Sequence, residues 1–207
     1  MTAKEQWRTL PVDDIGYLYI EEMAAKSDEE LKSLIDRMAH NRNTGWRNYQ
    51  NLWVEKMRTF DRPRTILDFG CGVGLEAVEL SKLGHQVCLR DMNDDGVDLA
   101  TRVMGLYGFE PYTEACEVFY ANGVLHHCPD AQEVLAEADD SGFIELRLML
   151  YTEAIKGHPE VMDFPGAYVD WYTQEKLAGI LPLGWNITDW TVITENQEYA
   201  AVKVEKE

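Results

Sequence analysis

One segment constrains the fold more than any other: Ile66-Leu67-Asp68-Phe69-Gly70-Cys71-Gly72-Val73-Gly74-Leu75-Glu76. A short apolar run, Thr65 to Phe69, meets three glycines at alternate positions, and a helical pattern from Leu75 to Leu83 follows, with Gly84 as its stop. Glycine lets the backbone turn tightly and approach a ligand with no Cβ in the way. The helix that follows offers unbonded N–H groups and a partial positive charge at its start. Open α/β sheets bind their ligands at such loops, at the carboxyl ends of parallel strands. A turn that needs glycines only for packing looks the same locally, so the flanking chain has to decide.

Downstream, short apolar runs alternate with helical patterns of about ten residues. Gln86 to Arg90 reads as a strand ending at Asp91, and Val97 to Tyr107 as a helix closed by Gly108. Glu117 to Ala121 and Phe143 to Tyr151 read as strands around an Ala131 to Ala138 helix. This order predicts an α/β, doubly wound, mostly parallel Rossmann-like sheet. Thr173 can cap a further helix, and Trp185 to Ile193 with Tyr199 to Val204 predict a C-terminal antiparallel strand pair around Glu195-Asn196-Gln197. Residues 1–60 read instead as an N-terminal helical cap. Ser27-Asp28-Glu29-Glu30 is a capping box before the Leu31, Leu34, Ile35, Met38 stripe. A second helix is expected around Trp46, Tyr49, Leu52, Trp53 and Met57, and Pro63 marks the break before a ligand-binding domain over 61–207.

Composition narrows the partners. The 207 residues carry 37 acidic and 19 basic side chains, a formal net charge of −18. A nucleic-acid surface needs clustered Lys and Arg to release counterions, so a nucleic-acid partner is not expected. No run reaches the ~18 apolar residues of a membrane span, and the N-terminus lacks the apolar core of a signal peptide. The expectation is a cytoplasmic protein with no membrane partner. Cys71, Cys88, Cys116 and Cys128 show neither CxxC spacing nor a disulfide framework, and no metal site is expected. No feature selects an oligomeric state.

The glycine spacing then discriminates among ligands. A dinucleotide fingerprint GxGxxG would put its third glycine at Leu75, and a phosphate-binding P-loop needs a Lys that is absent. The pattern is GxGxG, with Asp68 two positions before it and Asp91 about 20 residues on, where a carboxylate can accept both hydroxyls of a ribose. An acid beside the loop is awkward for a pyrophosphate and suits a ligand bearing an ammonium and a sulfonium.

At these residues the chain resembles the class I S-adenosylmethionine-dependent methyltransferases, in their small-molecule, type-11-like branch. The resemblance rests on "ILDFGCGVG", "LRDMNDDGVDLA", "VFYANGVLHHCPDAQEVLAEA" and "WYTQEKLAGIL", and covers about residues 64 to 204. It implies S-adenosylmethionine as cofactor, with Asp68, Gly70, Cys71, Gly72 and Gly74 around its methionine end. Asp91 would hold the ribose, Met92 would pack on adenine, and Asn122 and Gly123 would lie beside the reactive methyl. The chain also departs from the family. Phe109 to Cys116 is too short for the usual third strand and its acidic adenine contact, which leaves a sheet edge exposed and Glu114 as a substitute. The Gly-Gly turn before the fifth strand is Asp139-Asp140-Ser141-Gly142, and the Phe-Asp opening of the fourth is Cys116-Glu117.

Methyl transfer from a sulfonium is an in-line displacement in which the protein chiefly aligns the partners. A base is needed only when the acceptor is still protonated. His126 and His127, just past the fourth strand, stand where such a base would be; extended geometry would let at most one face the ligand. The pair can equally pack against the next helix. Tyr151 ends the fifth strand and can face the acceptor or pack. The aromatic loop Asp163 to Tyr172 and the Trp46, Tyr49, Trp53 helix can enclose a ring-shaped acceptor or merely seal the core. The reading is a methyltransferase acting on a small-molecule acceptor. Its rivals are a non-catalytic S-adenosylmethionine-binding or regulatory module that uses the exposed edge, and an NAD-linked reductase, which Leu75 disfavours.

Overall fold

The apolar runs become strands and the amphipathic stripes become helices in two compact units, Met1–Gln50 with Arg62–Ala115, and Asn51–Asp61 with Cys116–Glu207. The computed structural model describes residues 9–12, 16–45, 50–155, 168–193 and 197–207.

In the first unit, β1 (Thr9–Val12) and β2 (Gly16–Tyr19) pair as an antiparallel hairpin. Next come α1 (Ile20–Ala24), α2 (Asp28–Gly45), β3 (Thr65–Phe69), α3 (Leu75–Lys82), β4 (Gln86–Arg90) and α4 (Asp94–Leu106). Strands β3 and β4 run parallel, from Thr65 opposite Gln86 to Phe69 opposite Arg90. The capping box forms as expected: the Ser27 N–H donates to Glu30 Oε2 at 2.9 Å, and the Glu30 N–H to Ser27 Oγ at 3.3 Å. The apolar stripe of α4, Leu99, Ala100, Val103 and Met104, is buried.

Unit two contains β5 (Val118–Asn122), α5 (Ala131–Asp140), β6 (Glu145–Tyr151), α6 (Gln174–Ala178), β7 (Trp185–Val192) and β8 (Tyr199–Lys206). Val118, Phe119, Tyr120 and Ala121 are all buried, the mark of a strand covered on both faces. Strand β6 pairs parallel with β5 and antiparallel with β8, and β8 pairs antiparallel with β7. Thr173 caps α6, its Oγ1 accepting from the Lys176 N–H at 3.2 Å. The chain is thus mixed α/β, with parallel central strands and an antiparallel C-terminal pair.

Three features add to the sequence reading. The N-terminal segment is largely helical and also carries the β1–β2 hairpin. Residues 51–61 belong to the second unit. Arg102 of α4 donates to the carbonyls of Ala24 and Lys26, both at 2.7 Å, and fastens α1 and α2 to the glycine-loop unit. Arg147 of β6 donates to the Lys56 carbonyl at 2.6 Å and lies 4.7 Å from the Phe60 ring, which holds 51–61 in the second unit. Lastly, no third strand forms over 107–117, yet the β4 edge is not left bare. The Tyr112 N–H donates to the Val87 carbonyl at 2.8 Å, and Cys88 Sγ to the Glu114 carbonyl at 3.4 Å. An irregular segment takes the place of the strand and pairs one backbone carbonyl of that edge.

Candidate functional site

The candidate residues fall into two groups, one in each unit. The first is the turn from β3 into α3. Gly70, Gly72 and Gly74 have φ of 76°, 51° and 80°, the left-handed region that residues with a Cβ avoid. Gly74 is the N-cap of α3, and a Cβ placed on it would lie 3.0 Å from both Cα and Cβ of Ala100. The glycine there is therefore required twice, by conformation and by the approach of α4. The N–H groups of Gly70 and Cys71 both donate to the Arg90 carbonyl, at 2.7 and 3.1 Å, which folds the turn over the end of β4.

Asp91 locks this turn. Its Oδ2 accepts from the Gly72 N–H at 3.0 Å and its Oδ1 from the Asn93 N–H at 2.9 Å. Asp68 is buried, 2% exposed, in the last part of β3. Burial first, then the negative charges of Asp68 and Asp91, push the Cys71 thiol far up, so it stays protonated and is no nucleophile. Two carboxylates therefore act on one atom of the turn, and the field that disfavours a thiolate there favours a bound cation. Met92, next along the chain, leaves 49% of its surface exposed.

The second group gathers where β5 and β6 end. Gly123 has φ of 74°, its N–H donates to the Met149 carbonyl at 3.3 Å, and a Cβ there would come within 3.1 Å of Met149 Cε. The amide nitrogen and oxygen of Asn122 are both buried with no hydrogen-bond partner, a condition that costs about 1–3 kcal/mol per group. His126 and His127 form a short 3₁₀ turn with Leu125. Their environments differ.

His126 is 1% exposed and stacks on the Tyr151 ring at 3.7 Å. Its Nδ1 accepts from the Tyr151 N–H at 3.3 Å, so in the neutral ring the proton sits on Nε2. Burial, reinforced by His127, holds it well below the usual histidine range, and it is neutral. His127 is less enclosed. Its Nδ1 lies 3.1 Å from the Tyr168 carbonyl, which can only accept, so Nδ1 carries the proton and Nε2 the basic lone pair. Burial lowers this histidine too, opposed by the Tyr168 hydrogen bond. A strap, 168–172, stitches the group together. Besides the Tyr168 carbonyl, the Asp170 N–H donates to the His126 carbonyl and the Tyr172 N–H to the Tyr151 carbonyl, both at 2.8 Å.

Within the first unit, then, the turn assembles Asp68, Gly70, Cys71, Gly72, Gly74 and Asp91, with Met92 at its margin. The other group joins Asn122, Gly123, His126, His127 and Tyr151. Of the aromatic loop, Tyr172 is core and Tyr168 is 44% exposed; Asp163 to Ala167 lie outside the described residues, as do Trp46 and Tyr49. Trp53 is buried. Glu114 accepts from the Tyr112 hydroxyl at 3.1 Å. Sequence reasoning missed Gly96 and the strap's backbone bonds. Gly96 carries a signal: a lone glycine inside a helical pattern usually has a packing reason.

Comparison with known proteins now adds to this geometry. A family model described as a methyltransferase domain matches residues 19–141. No curated protein matches the chain by sequence. Among solved structures, magnesium protoporphyrin IX methyltransferase from Synechocystis PCC 6803 with bound SAH is 14% identical, with a TM-score of 0.60, covering 90% of this chain and 92% of that one. A SAM-dependent methyltransferase from Aquifex aeolicus is 16% identical, with a TM-score of 0.60 over 85% of this chain and 98% of that one. An rRNA methylase from Escherichia coli is 16% identical, with a TM-score of 0.57 over 91% and 75%. At such identities the likeness establishes the fold.

Proposed function

The chain belongs to the methyltransferase-domain family, and from that premise we propose that it uses S-adenosylmethionine (SAM) to methylate a small-molecule acceptor. The observation that carries the reading is the turn of three left-handed glycines on which Asp68 and Asp91 converge. That donor set suits the cofactor. Asp68, Gly70, Cys71, Gly72 and Gly74 would surround its methionine end, which carries an ammonium and a sulfonium. Asp91 would take the ribose hydroxyls with the lone pairs that Gly72 and Asn93 leave. Met92 would cover adenine, with Glu114 on the amino group. In the second unit, Asn122 and Gly123 are the residues the resemblance assigns to the reactive methyl, and a ligand would satisfy the buried amide of Asn122. The cofactor, when bound, supplies an electrophilic methyl and a neutral leaving group.

What remains for the chain is alignment and proton handling. His127 is the residue we assign to receive a proton from the acceptor, because its Nδ1 proton is committed to Tyr168. His126 is buried, stacks on Tyr151 and bonds its N–H, and serves to hold Tyr151 and the end of β6. A small acceptor fits the net charge of −18 better than a nucleic acid backbone does, although one structural neighbour is an rRNA methylase. Calorimetry with SAM, followed by transfer of radiolabelled methyl into cell extract, tests this. Heat of binding and label in the ribonuclease- and protease-resistant small-molecule fraction are expected. No heat at several temperatures, from a folded protein, overturns the cofactor; label in RNA alone overturns the acceptor class.

A further inference from the structure

The β4–α4 connection grips Gly72 from two sides. Its N–H donates to Asp91 Oδ2 at 3.0 Å, and its carbonyl faces Gly96, in the first turn of α4. A Cβ built on Gly96 would lie 3.4 Å from the Gly72 oxygen and 3.7 Å from Ile20 Cδ1 at the start of α1. Alanine would just touch both, whereas a branched side chain would have to displace a backbone carbonyl, α1, or both. Within a helix glycine is the poorest residue but proline, so its presence in α4 calls for a compensating role. Close approach supplies one, since Gly96 and Ile20 are both buried.

Further along α4, Arg102 fastens the other end of α1. Its guanidinium donates to the carbonyls of Ala24 and Lys26 at 2.7 Å each, and to Asp28 Oδ1 from Nη2 at 2.7 Å and from Nε at 3.0 Å. All the donors point at the α1–α2 junction. One rigid helix therefore touches the glycine turn through Gly96 and holds the N-terminal segment through Arg102.

We propose that Gly96 is a positioning residue that couples docking of the α1–α2 segment to the conformation of the Gly70–Gly74 turn, so that cofactor binding and docking of residues 20–28 stabilise each other. This rests on the turn being the cofactor site. Coupling of this kind is reciprocal: whatever binding gains from a docked segment, the segment gains from binding.

The test uses the full chain with S-adenosylhomocysteine (SAH) as probe, read by calorimetry and by amide hydrogen exchange over residues 20–28. Gly96→Ala should keep the affinity within about twofold, whereas Gly96→Val should weaken it about tenfold or more, the cost of overpacking a tight contact. Arg102→Met, which leaves the turn's own contacts intact, should speed exchange at 20–28 and weaken SAH about fivefold, within the usual range of coupling between sites. In the unaltered protein, SAH should slow exchange at 20–28. If Gly96→Val and Arg102→Met both bind SAH like the unaltered protein, or if SAH leaves exchange at 20–28 unchanged, the coupling is overturned. An unaltered, folded protein that takes up no SAH overturns the cofactor reading itself, and the coupling with it.

Discussion

The turn after β3 and the cluster at the ends of β5 and β6 are built from opposite materials. The turn is backbone: three glycines at φ of 51° to 80°, carbonyls and N–H groups, with carboxylates as the charged side chains brought to it. Ring side chains make the other, with His126 stacked 3.7 Å from Tyr151, His127 4.3 Å from His126 and Tyr199 5.0 Å from Tyr151. In the turn, two carboxylates make the field hospitable to a cation, whereas burial in the cluster keeps both imidazoles neutral. The contrast is one of means. Absence of side chains leaves the turn open to a charged ligand, and dry aromatic packing keeps two imidazoles uncharged.

The sharpest way to break this contrast is to give the turn a side chain. Gly74→Val meets the left-handed conformation, about 1–2 kcal/mol, and overlap with Ala100, about 1–3 kcal/mol. A loss near 4 kcal/mol in chemical denaturation is expected, with SAH binding abolished. A loss below about 1 kcal/mol would mean that α4 yields and that the glycines do not define the turn. Asp91→Ala comes next. It strips a charged acceptor from two backbone N–H groups, costing about 2–3 kcal/mol, and should weaken SAM by about 100-fold. Asp91→Asn keeps one acceptor oxygen and should recover part of the stability but little of the affinity. Equal affinity in Asp91→Ala and the unaltered protein would remove the ribose role.

The aromatic cluster should respond to acid instead. Both imidazoles are depressed from 6.5 by burial, so the unfolded chain binds protons that the folded one refuses. Their contribution is complete above about pH 6.5 and is lost as the pH falls through that value towards the lower folded pKa, at up to about 1.4 kcal/mol per pH unit per proton. His126→Phe keeps the stack, removes one of the two protons and should roughly halve the slope below pH 6.5. It should also cost about 1–2 kcal/mol at pH 8, because the Tyr151 N–H loses its bond to the ring. An unchanged slope would mean that His126 is charged in the folded protein.

The same contrast explains what was legible in the sequence. A backbone device leaves a linear trace: Gly70, Gly72 and Gly74 are spaced in the chain as they are used, Asp68 is the penultimate residue of β3, and Asp91 directly follows β4. The parallel strands, Gly84, the Ser27 box and the Thr173 cap follow from equally local rules. The ring cluster joins residues 25 and 41 positions apart through bonds such as Tyr151 N–H to His126 and His127 to the Tyr168 carbonyl, and no local pattern announces them. Adjacent histidines look alike in a sequence; only burial and partner tell them apart. The covered β4 edge was illegible for a similar reason, since Tyr112 pairs as an isolated residue without strand periodicity. Gly96 falls just before the helix expected from Val97, whereas the helix starts earlier, at Asp94.

The smallest expected effect separates a ligand contact from a structural one most cleanly. Met92 leaves 49% of its surface exposed, so the fold gains little from it, and Met92→Ala should change stability by less than about 0.5 kcal/mol. If its side chain covers adenine, the variant should still weaken SAH by about three- to tenfold, the worth of a methionine stem buried against a ring. Every other residue of the turn mixes the two roles, since Asp91 and Gly74 hold the backbone that would hold the cofactor. Met92 does not. An affinity unchanged in Met92→Ala would place adenine elsewhere and shift attention to Glu114 and the segment that covers β4. A fall in affinity without a fall in stability would show that the turn spends an apolar side chain on its ligand alone.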